Sequence, residues 1–259
     1  MDTPIKLDFL DLGLALGMIA LAIGLSAWQR LGLAGSLALA AARAIIQLLM
    51  LGIVLEFVFA GKQPLLVVGF LLLLLTLAAI ATRNRISRKI PRLFPVVWVA
   101  LFASTAIALL YTQVFVLRQP EAWIDPRYAI TFGGLILGNT LNGGAIAGER
   151  FVSSLQNNPW EIETHLCLGA TPQQAIDRYR RDAIRSGFLP TLNATMTVGL
   201  VALPALTGGQ LLGGISPLTA VAYQIVVALM LMLANLIGTV AIVNGLSKLV
   251  FDEGDRLKF

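Results

Sequence analysis

Seven stretches of this chain are long and apolar enough to lie in hydrocarbon, which narrows the fold before any motif is read. They are Phe9–Trp28, Leu37–Phe59, Leu65–Thr82, Phe94–Leu117, Ala129–Gly148, Leu189–Leu212 and Leu218–Val243. A helix needs about 20 mostly apolar residues to cross a bilayer core, and an open sheet edge or irregular loop facing lipid leaves backbone groups unpaired. Composition agrees. Of the 259 residues 57% are hydrophobic and 13% charged, against about 25% charged in a soluble domain. The sequence predicts an all-α membrane protein, a polytopic bundle of about seven transmembrane helices forming a single domain over residues 1–259.

The opening MDTPIKLDFLDLG holds three acids and one lysine, and no small-residue cleavage pattern follows the first apolar run. It therefore reads as a retained span and not a signal peptide. Orientation follows from the basic residues. With the N-terminus outside, 14 of the 19 Lys and Arg fall on the inner side and only 4 on the outer, Arg43 lying within the second span. The positive-inside rule then places the C-terminus in the cytoplasm. The pI of about 9.7 does not indicate nucleic-acid binding, because the basic residues sit between apolar runs without aromatic interleaving. In the loop Arg83–Arg92 they fit anchoring against anionic headgroups or contact with a partner protein. Cys167 is the single cysteine, so an internal disulfide is excluded.

The polar insert Asn158–Pro190, NPWEIETHLCLGATPQQAIDRYRRDAIRSGFLP, interrupts the apolar pattern on the inner side. Asn158, Pro159 and Glu161 form a helix-start signal of N-cap, N1 proline and N3 acid. Gly169 stops that helix, and Thr171, Pro172 and Gln174 repeat the start signal at once. The second helix carries Ile176, Tyr179, Ala183, Ile184 and Phe188 on an apolar stripe. Asp177, Arg178, Arg181, Asp182 and Arg185 lie on the other face. The expectation is a cytoplasmic helical hairpin, stiff enough to receive mechanical input. A plain solvated loop containing two helices is the alternative on spacing alone.

Polar residues within spans cost free energy unless they face protein or water. Arg43 and Gln47 share a face of the second span one turn apart; Arg43 either snorkels to headgroups or pairs with a carbonyl or acid and helps fix an inner gate. Glu56, near the outer end, is either interfacial or a carboxylate offered to an emerging cation. In the fifth span Gly134, Gly138 and Asn142 recur at four-residue steps that bring helix backbones together. Asn139 and Asn142 place amides on adjoining faces, available for interhelical bonding or for lining a path. In the sixth span Asn193, Thr195, Thr197 and Gly199 lead to Pro204, which should break the helix and free carbonyls; Thr207, Gly208 and Gly209 should loosen it further. Tyr223, Gln224 and Asn235 add polar groups to the last span.

No G-x-x-x-x-G-K-[ST] phosphate loop occurs, so the chain cannot use ATP in that way. His165 and Cys167, two residues apart on a helix, make no metal site. A tight metal cage is not visible either, since midspan carboxylates, histidines and cysteines are absent.

Two sets of motifs resemble known permeases. ETHLCLGATPQQA is similar to the coupling motif of ABC-transporter permeases, with Glu163 and Gly169 on its spacing; Thr164 and His165 stand where small alanines are usual. LGATPQQA, TVGLVALP at Thr197–Pro204, SPLTAVAYQIVV at Ser216–Val227, RAIIQL at Arg43–Leu48 and GN at Gly138–Asn139 together resemble the FetB-type permeases. That family is the membrane half of an ABC exporter implicated in bacterial iron efflux and is similar to plant aluminium-tolerance permeases. Ala205 and Leu206 follow Pro204 where relatives often carry Gly-Met, so no methionine ligand carries over.

The resemblance implies a permease subunit in the inner membrane, exporting iron or a related metal cation, with no enzyme activity or cofactor of its own. ATP and Mg would sit on a separate ATPase partner, and the permease would be a homodimer among membrane lipids. Glu163, Gly169, Ala170, Thr171, Pro172 and Gln174 would couple to the ATPase. Arg43, Gln47, Glu56, Asn139, Asn142, Thr197, Pro204 and Gln224 would line the path. A self-contained secondary carrier or channel, an ABC permease for a non-metal substrate, and an assembly factor without transport activity are the competing readings. A carrier should show paired midspan ionisable groups and an internal repeat, and neither is found.

Overall fold

The computed structural model describes residues 8–61, 63–118 and 125–251. Nine helices occur among them: α1 (Phe9–Trp28), α2 (Ala34–Gly61), α3 (Pro64–Ile86), α4 (Leu93–Tyr111), α5 (Pro126–Asn157), α6 (Pro159–Cys167), α7 (Pro172–Thr197), α8 (Ala205–Leu212) and α9 (Pro217–Leu249). A π-helical turn, Thr112–Leu117, continues α4. No strand forms among the described residues, which carry a single isolated bridge between Val198 and Ala202.

Contacts group the chain into two compact units. The first is built on α1 and α2 with Leu212–Gly214; the second holds the remaining helices. In the first unit α1 packs on α2, and nearly every large apolar side chain of the pair is exposed, as lipid-facing helices require.

The second unit is organised around α5, which touches α3, α4, α7 and α9. Its larger core joins Leu93, Val97 and Leu101 of α4, Phe151 and Leu155 of α5, Ile162 of α6, Ile176 of α7 and Ile242 and Leu246 of α9. A smaller core gathers Ala108, Phe132, Ile136, Val227 and Met230. The larger cluster lies at the end of the bundle that carries α6.

Among the described residues five helical segments are long and apolar enough to cross a membrane: Leu10–Trp28, Ala34–Gly61, Pro64–Ile86, Leu93–Leu117 and Pro217–Leu249. They coincide with five of the seven expected spans. The other two depart from expectation for different reasons. Ala129–Gly148 lies inside the long helix α5, whose glycines and amides lower its hydropathy; walled by four neighbours, it does not need a lipid-like surface. Leu189–Leu212 is not one helix. α7 begins in the polar insert and runs through Pro190 to Thr197 without a break. The chain then turns over Val198–Leu203, with Gly199 at φ +79 and its N–H on the Ala202 carbonyl at 3.0 Å. Pro204 therefore precedes a new helix. Gly208 and Gly209 are helical residues of α8, not a loosened end. A proline inside a helix removes one backbone bond, but at the start of one it removes none, so Pro204 is placed where it costs least.

The face used for close packing on α5 also differs from expectation. A Cβ added at Gly134 or Gly138 would meet nothing within 4 Å. Instead Gly143 presses on the Asn235 side chain, Gly144 on Ile242 and Gly148 on Ile86. Gly187 of α7 lies against the Gly143 carbonyl, and Gly238 of α9 against Thr140. Two stripes of small residues run along α5, and spacing alone does not say which one meets a neighbour.

Gly187→Ala should therefore be destabilising, by about 1–3 kcal/mol from overpacking against a backbone that cannot yield. Gly208→Ala, with open space around it, should be neutral or gain up to about 1 kcal/mol. Thermal unfolding in detergent checks both; a Gly187→Ala chain as stable as wild type would contradict the packing described.

Candidate functional site

The hairpin of α6 and α7 is held by local chemistry that the sequence spells out. Leu168 ends α6, Gly169 takes the left-handed conformation at φ +91, and the Ala170 N–H reaches the His165 carbonyl at 3.0 Å while the Gly169 N–H reaches Leu166. This is the paired-bond stop that glycine favours. Thr171 then caps α7: its hydroxyl accepts from the Gln174 N–H at 3.3 Å, and the Gln174 side chain accepts from the Thr171 N–H at 2.9 Å. The turn Gly169–Pro172 thus has its backbone bonds made on both sides.

The start of α6 differs from expectation. Asn158 stands at its N-cap with Pro159 first in the helix, as expected, but the Asn158 side chain makes no capping bond. α5 runs to Asn157, so Asn158 also closes that helix, its amide donating to the Ser154 carbonyl at 2.8 Å. Glu161, freed from a capping box, accepts a 2.6 Å hydrogen bond from the Tyr179 hydroxyl on α7. Burial and then this bond to a carboxylate push the Tyr179 phenol up to about 12. The bond braces the two helices across the hairpin.

The hairpin is fixed to the bundle by Ile162 and Ile176, both buried with Phe151 and Leu155. Tyr179, Ala183, Ile184 and Phe188 continue the buried side, while Arg178, Arg181, Asp182 and Arg185 are exposed. Asp177 pairs with Arg180 at 2.6 Å and with Arg181 at 2.7 Å. Glu163, Gly169, Thr171 and Gln174 are exposed, and Ala170 and Pro172 are half-buried, so the predicted coupling residues cluster at one tip. Sequence reasoning missed two apolar neighbours there. Trp160 and Leu168 are 80% and 79% exposed, and with Thr164 they follow the i, i+4, i+8 rhythm of one helix face. That rhythm was the available signal.

Within the bundle, Asn139 and Asn142 bond to different helices. The Thr191 hydroxyl of α7 donates to Asn139 Oδ1 at 2.9 Å and accepts from Asn235 Nδ2 of α9 at 2.6 Å, which links three helices through one hydroxyl. The Asn235 amide also donates to the Gly187 carbonyl at 3.4 Å. Asn142 is exposed and accepts a 2.8 Å bond from the Arg85 guanidinium at the end of α3. Arg85 belongs to the basic loop expected to anchor at headgroups or to meet a partner protein; its guanidinium bonds within the chain.

Where α7 gives way, a cavity of about 270 Å³ is lined by Thr195, Gly199, Pro204, Thr207 and Gln224 among apolar side chains. The Thr207 hydroxyl donates to Gln224 Oε1 at 3.1 Å. Pro204 and Gln224 are thus brought together. Thr197 does not line this cavity, because its hydroxyl turns back to the Asn193 carbonyl at 3.0 Å. Arg43, Gln47 and Glu56 are exposed on α2 in the first unit. Among the described residues no group of three or more His, Cys, Asp or Glu gathers to hold a metal. Among the described residues the buried polar groups of the second unit are neutral amides and hydroxyls, and such groups favour brief over tight binding of a bare cation.

Comparison with known proteins follows the same outline. The model of "Uncharacterised protein family (UPF0014)" matches residues 9–251. The chain is 46% identical to the UPF0014 membrane protein slr1647 of Synechocystis, over 98% of this chain and 97% of that one. It is 34% identical to the UPF0014 membrane protein STAR2 of rice, over 87% and 78%. It is 33% identical to the probable iron export permease protein FetB of Escherichia coli, over 89% and 87%. No solved structure matches.

Tyr179→Phe should loosen the hairpin without unfolding the bundle. Loss of a bond to a carboxylate at a partly exposed site is worth about 1 kcal/mol, so amide exchange in α6 should quicken roughly fivefold in mass-spectrometric hydrogen exchange. The raised phenol also has a signed consequence. Its contribution to hairpin stability is complete below pH ~10, the unfolded value, and is lost as pH rises through about 12; in Tyr179→Phe that alkaline loss should be absent. Thr191→Val should cost about 1–3 kcal/mol by stranding the Asn139 and Asn235 side chains, visible as a lower melting temperature.

Proposed function

Because the chain belongs to the UPF0014 family of membrane proteins, we propose that it is the membrane-embedded permease subunit of an ABC exporter, driven by ATP hydrolysed on a separate ATPase. The observation that carries this reading is the continuity of α7. One helix of 26 residues runs from the hairpin turn at Thr171 through Pro190 to the broken stretch after Thr197. A displacement of the hairpin would therefore reach the cavity at Pro204 and Gln224 through a single rigid element. The braced turn, the exposed tip at Glu163, Gly169 and Gln174, and the absence of a phosphate loop in the chain support an external source of force.

In this mechanism two copies of the chain form the permease, each with an ATPase seated on its α6–α7 hairpin. Closure of the ATPases on nucleotide draws the hairpins together, and the differential affinity of the closed state for ATP shifts the permease from inward- to outward-facing. The chain lies in the inner membrane with its N-terminus outside and the hairpin in the cytoplasm. Asn139, Asn142, Pro204 and Gln224 line the path on the second unit. The cargo is iron or a related metal cation. The support for that choice is the resemblance to FetB-type permeases and the 33% identity with the probable iron export permease protein FetB of Escherichia coli. Weak neutral ligands suit an exporter, which must release what it binds.

A second reading of the cargo rests on Arg85. A guanidinium bonded to Asn142 sets a positive charge beside the path, which repels a bare cation and favours an anionic metal chelate. Arg85→Gln separates the two: it should raise export of free metal ion and lower export of a chelate.

The coupling assignment is tested at Gly169. At φ +91 with open space around it, a β-branched residue meets backbone strain alone, of about 1–2 kcal/mol. Gly169→Val should cut substrate-stimulated ATPase activity of the reconstituted complex about five- to tenfold while the permease stays folded. Unchanged coupled turnover, or uphill transport by the purified chain without any ATPase, would overturn the proposal.

A further inference from the structure

A groove of about 610 Å³ runs between α4 and α9, away from the hairpin tip, the amide cluster and the cavity at Pro204. Its floor is made of small side chains, Ala100 and Ala103 of α4 with Ala241 and Gly245 of α9, and Val99 forms an exposed wall. Gly245 packs so closely on Val96 that a Cβ there would collide with it; the helices meet at that point and leave the channel beside it.

The lining is apolar except at one end. Asn244 and Lys248, a helical turn apart on α9, stand where α9 finishes and α4 begins. Arg92 caps the start of α4, one turn before Pro95 of the groove wall, and its side chain makes no capping bond. From Ala241 to Lys248 the groove is roughly 10 Å long, about two thirds of the ~15 Å hydrocarbon depth of one leaflet.

We propose that this groove is a binding site for an anionic phospholipid, one acyl chain lying on the alanine and glycine floor and the headgroup phosphate held by Lys248 and Asn244, with Arg92 adding charge at the mouth. An apolar slot roofed by lipid and ending in a cationic, hydrogen-bonding rim matches an amphiphile whose own charge sits at the interface. Lys248 is exposed at the last turn of α9 and lines the groove, the position from which a lysine stem can follow an apolar slot while its ammonium stays at the headgroups. A second copy of the chain fits this face poorly. A two-fold contact over this face would bring a second Lys248 into it, and neither α4 nor α9 carries a carboxylate to neutralise the pair.

The full-length chain, delipidated in detergent and given equal amounts of phosphatidylglycerol and phosphatidylethanolamine of matched chain length, is examined by native mass spectrometry. The wild type should retain one phosphatidylglycerol per chain in preference to phosphatidylethanolamine. Lys248→Gln should reduce that preference about fivefold, the worth of one basic side chain at an anionic surface, and Ala103→Leu, which fills the floor, should reduce retention of both lipids. Equal retention of the two lipids by the wild type, or an undiminished preference in Lys248→Gln, overturns the proposal. So does a high-yield disulfide between two Val99→Cys chains in native membranes, made in a Cys167→Ser background, since the groove would then be covered by protein.

Discussion

The contact on which the second unit depends is the meeting of α5, α7 and α9 around Asn235. Gly143 and Gly187 remove the side chains that would hold the three backbones apart, and the Asn235 amide enters the space they leave. Close approach and hydrogen bonding are inseparable there. The Thr191 hydroxyl reaches both Asn139 and Asn235 because the helices are near enough for one oxygen to serve two partners. In a lipid-solvated protein, apolar burial does not by itself favour helix over lipid, so tight packing and interhelical polar bonds must supply the specificity. The arrangement has a cost: Asn235 Oδ1, pressed against Gly143, is buried without a partner among the described residues, as is the Thr140 hydroxyl.

The same cluster connects the surface to the interior. α7 leaves the hairpin, passes Gly187 and Thr191 at the three-helix contact, and gives way at Gly199 beside the cavity that holds Gln224. The larger core supports the hairpin end, because Ile162 and Ile176 of the hairpin are buried with residues of α4, α5 and α9. The broken stretch after Thr197 is the softer end, where turns replace a continuous hydrogen-bond ladder.

Some of this was legible in the sequence because it depends on neighbours along the chain. The Gly169 stop and the Thr171–Gln174 capping box appear as written, since capping is settled within four residues. The buried stripe Ile176, Ala183, Ile184 likewise follows helical spacing. Where a residue had two local options, spacing could not choose. Asn158 stands between two helices, and its side chain bonds back to the first instead of capping the second; Glu161 then turns to Tyr179, a partner 18 positions away. The bonds of Thr191 and Arg85 were not legible because each forms only with a residue distant in sequence.

The sequence by itself determined that this is a helical membrane protein, where five of its apolar spans lie, and the local form of its surface hairpin. It also carried the motifs of its family. Those properties follow from solvation by lipid and from short-range backbone chemistry, which act on each segment alone. Tertiary structure decided which small-residue stripe of α5 is packed, that α7 runs through Pro190 and stops at Thr197, and which amides meet. Those outcomes depend on the rotation of each helix against its neighbours. Two faces with the same residue sizes differ only in what the rest of the fold brings to them.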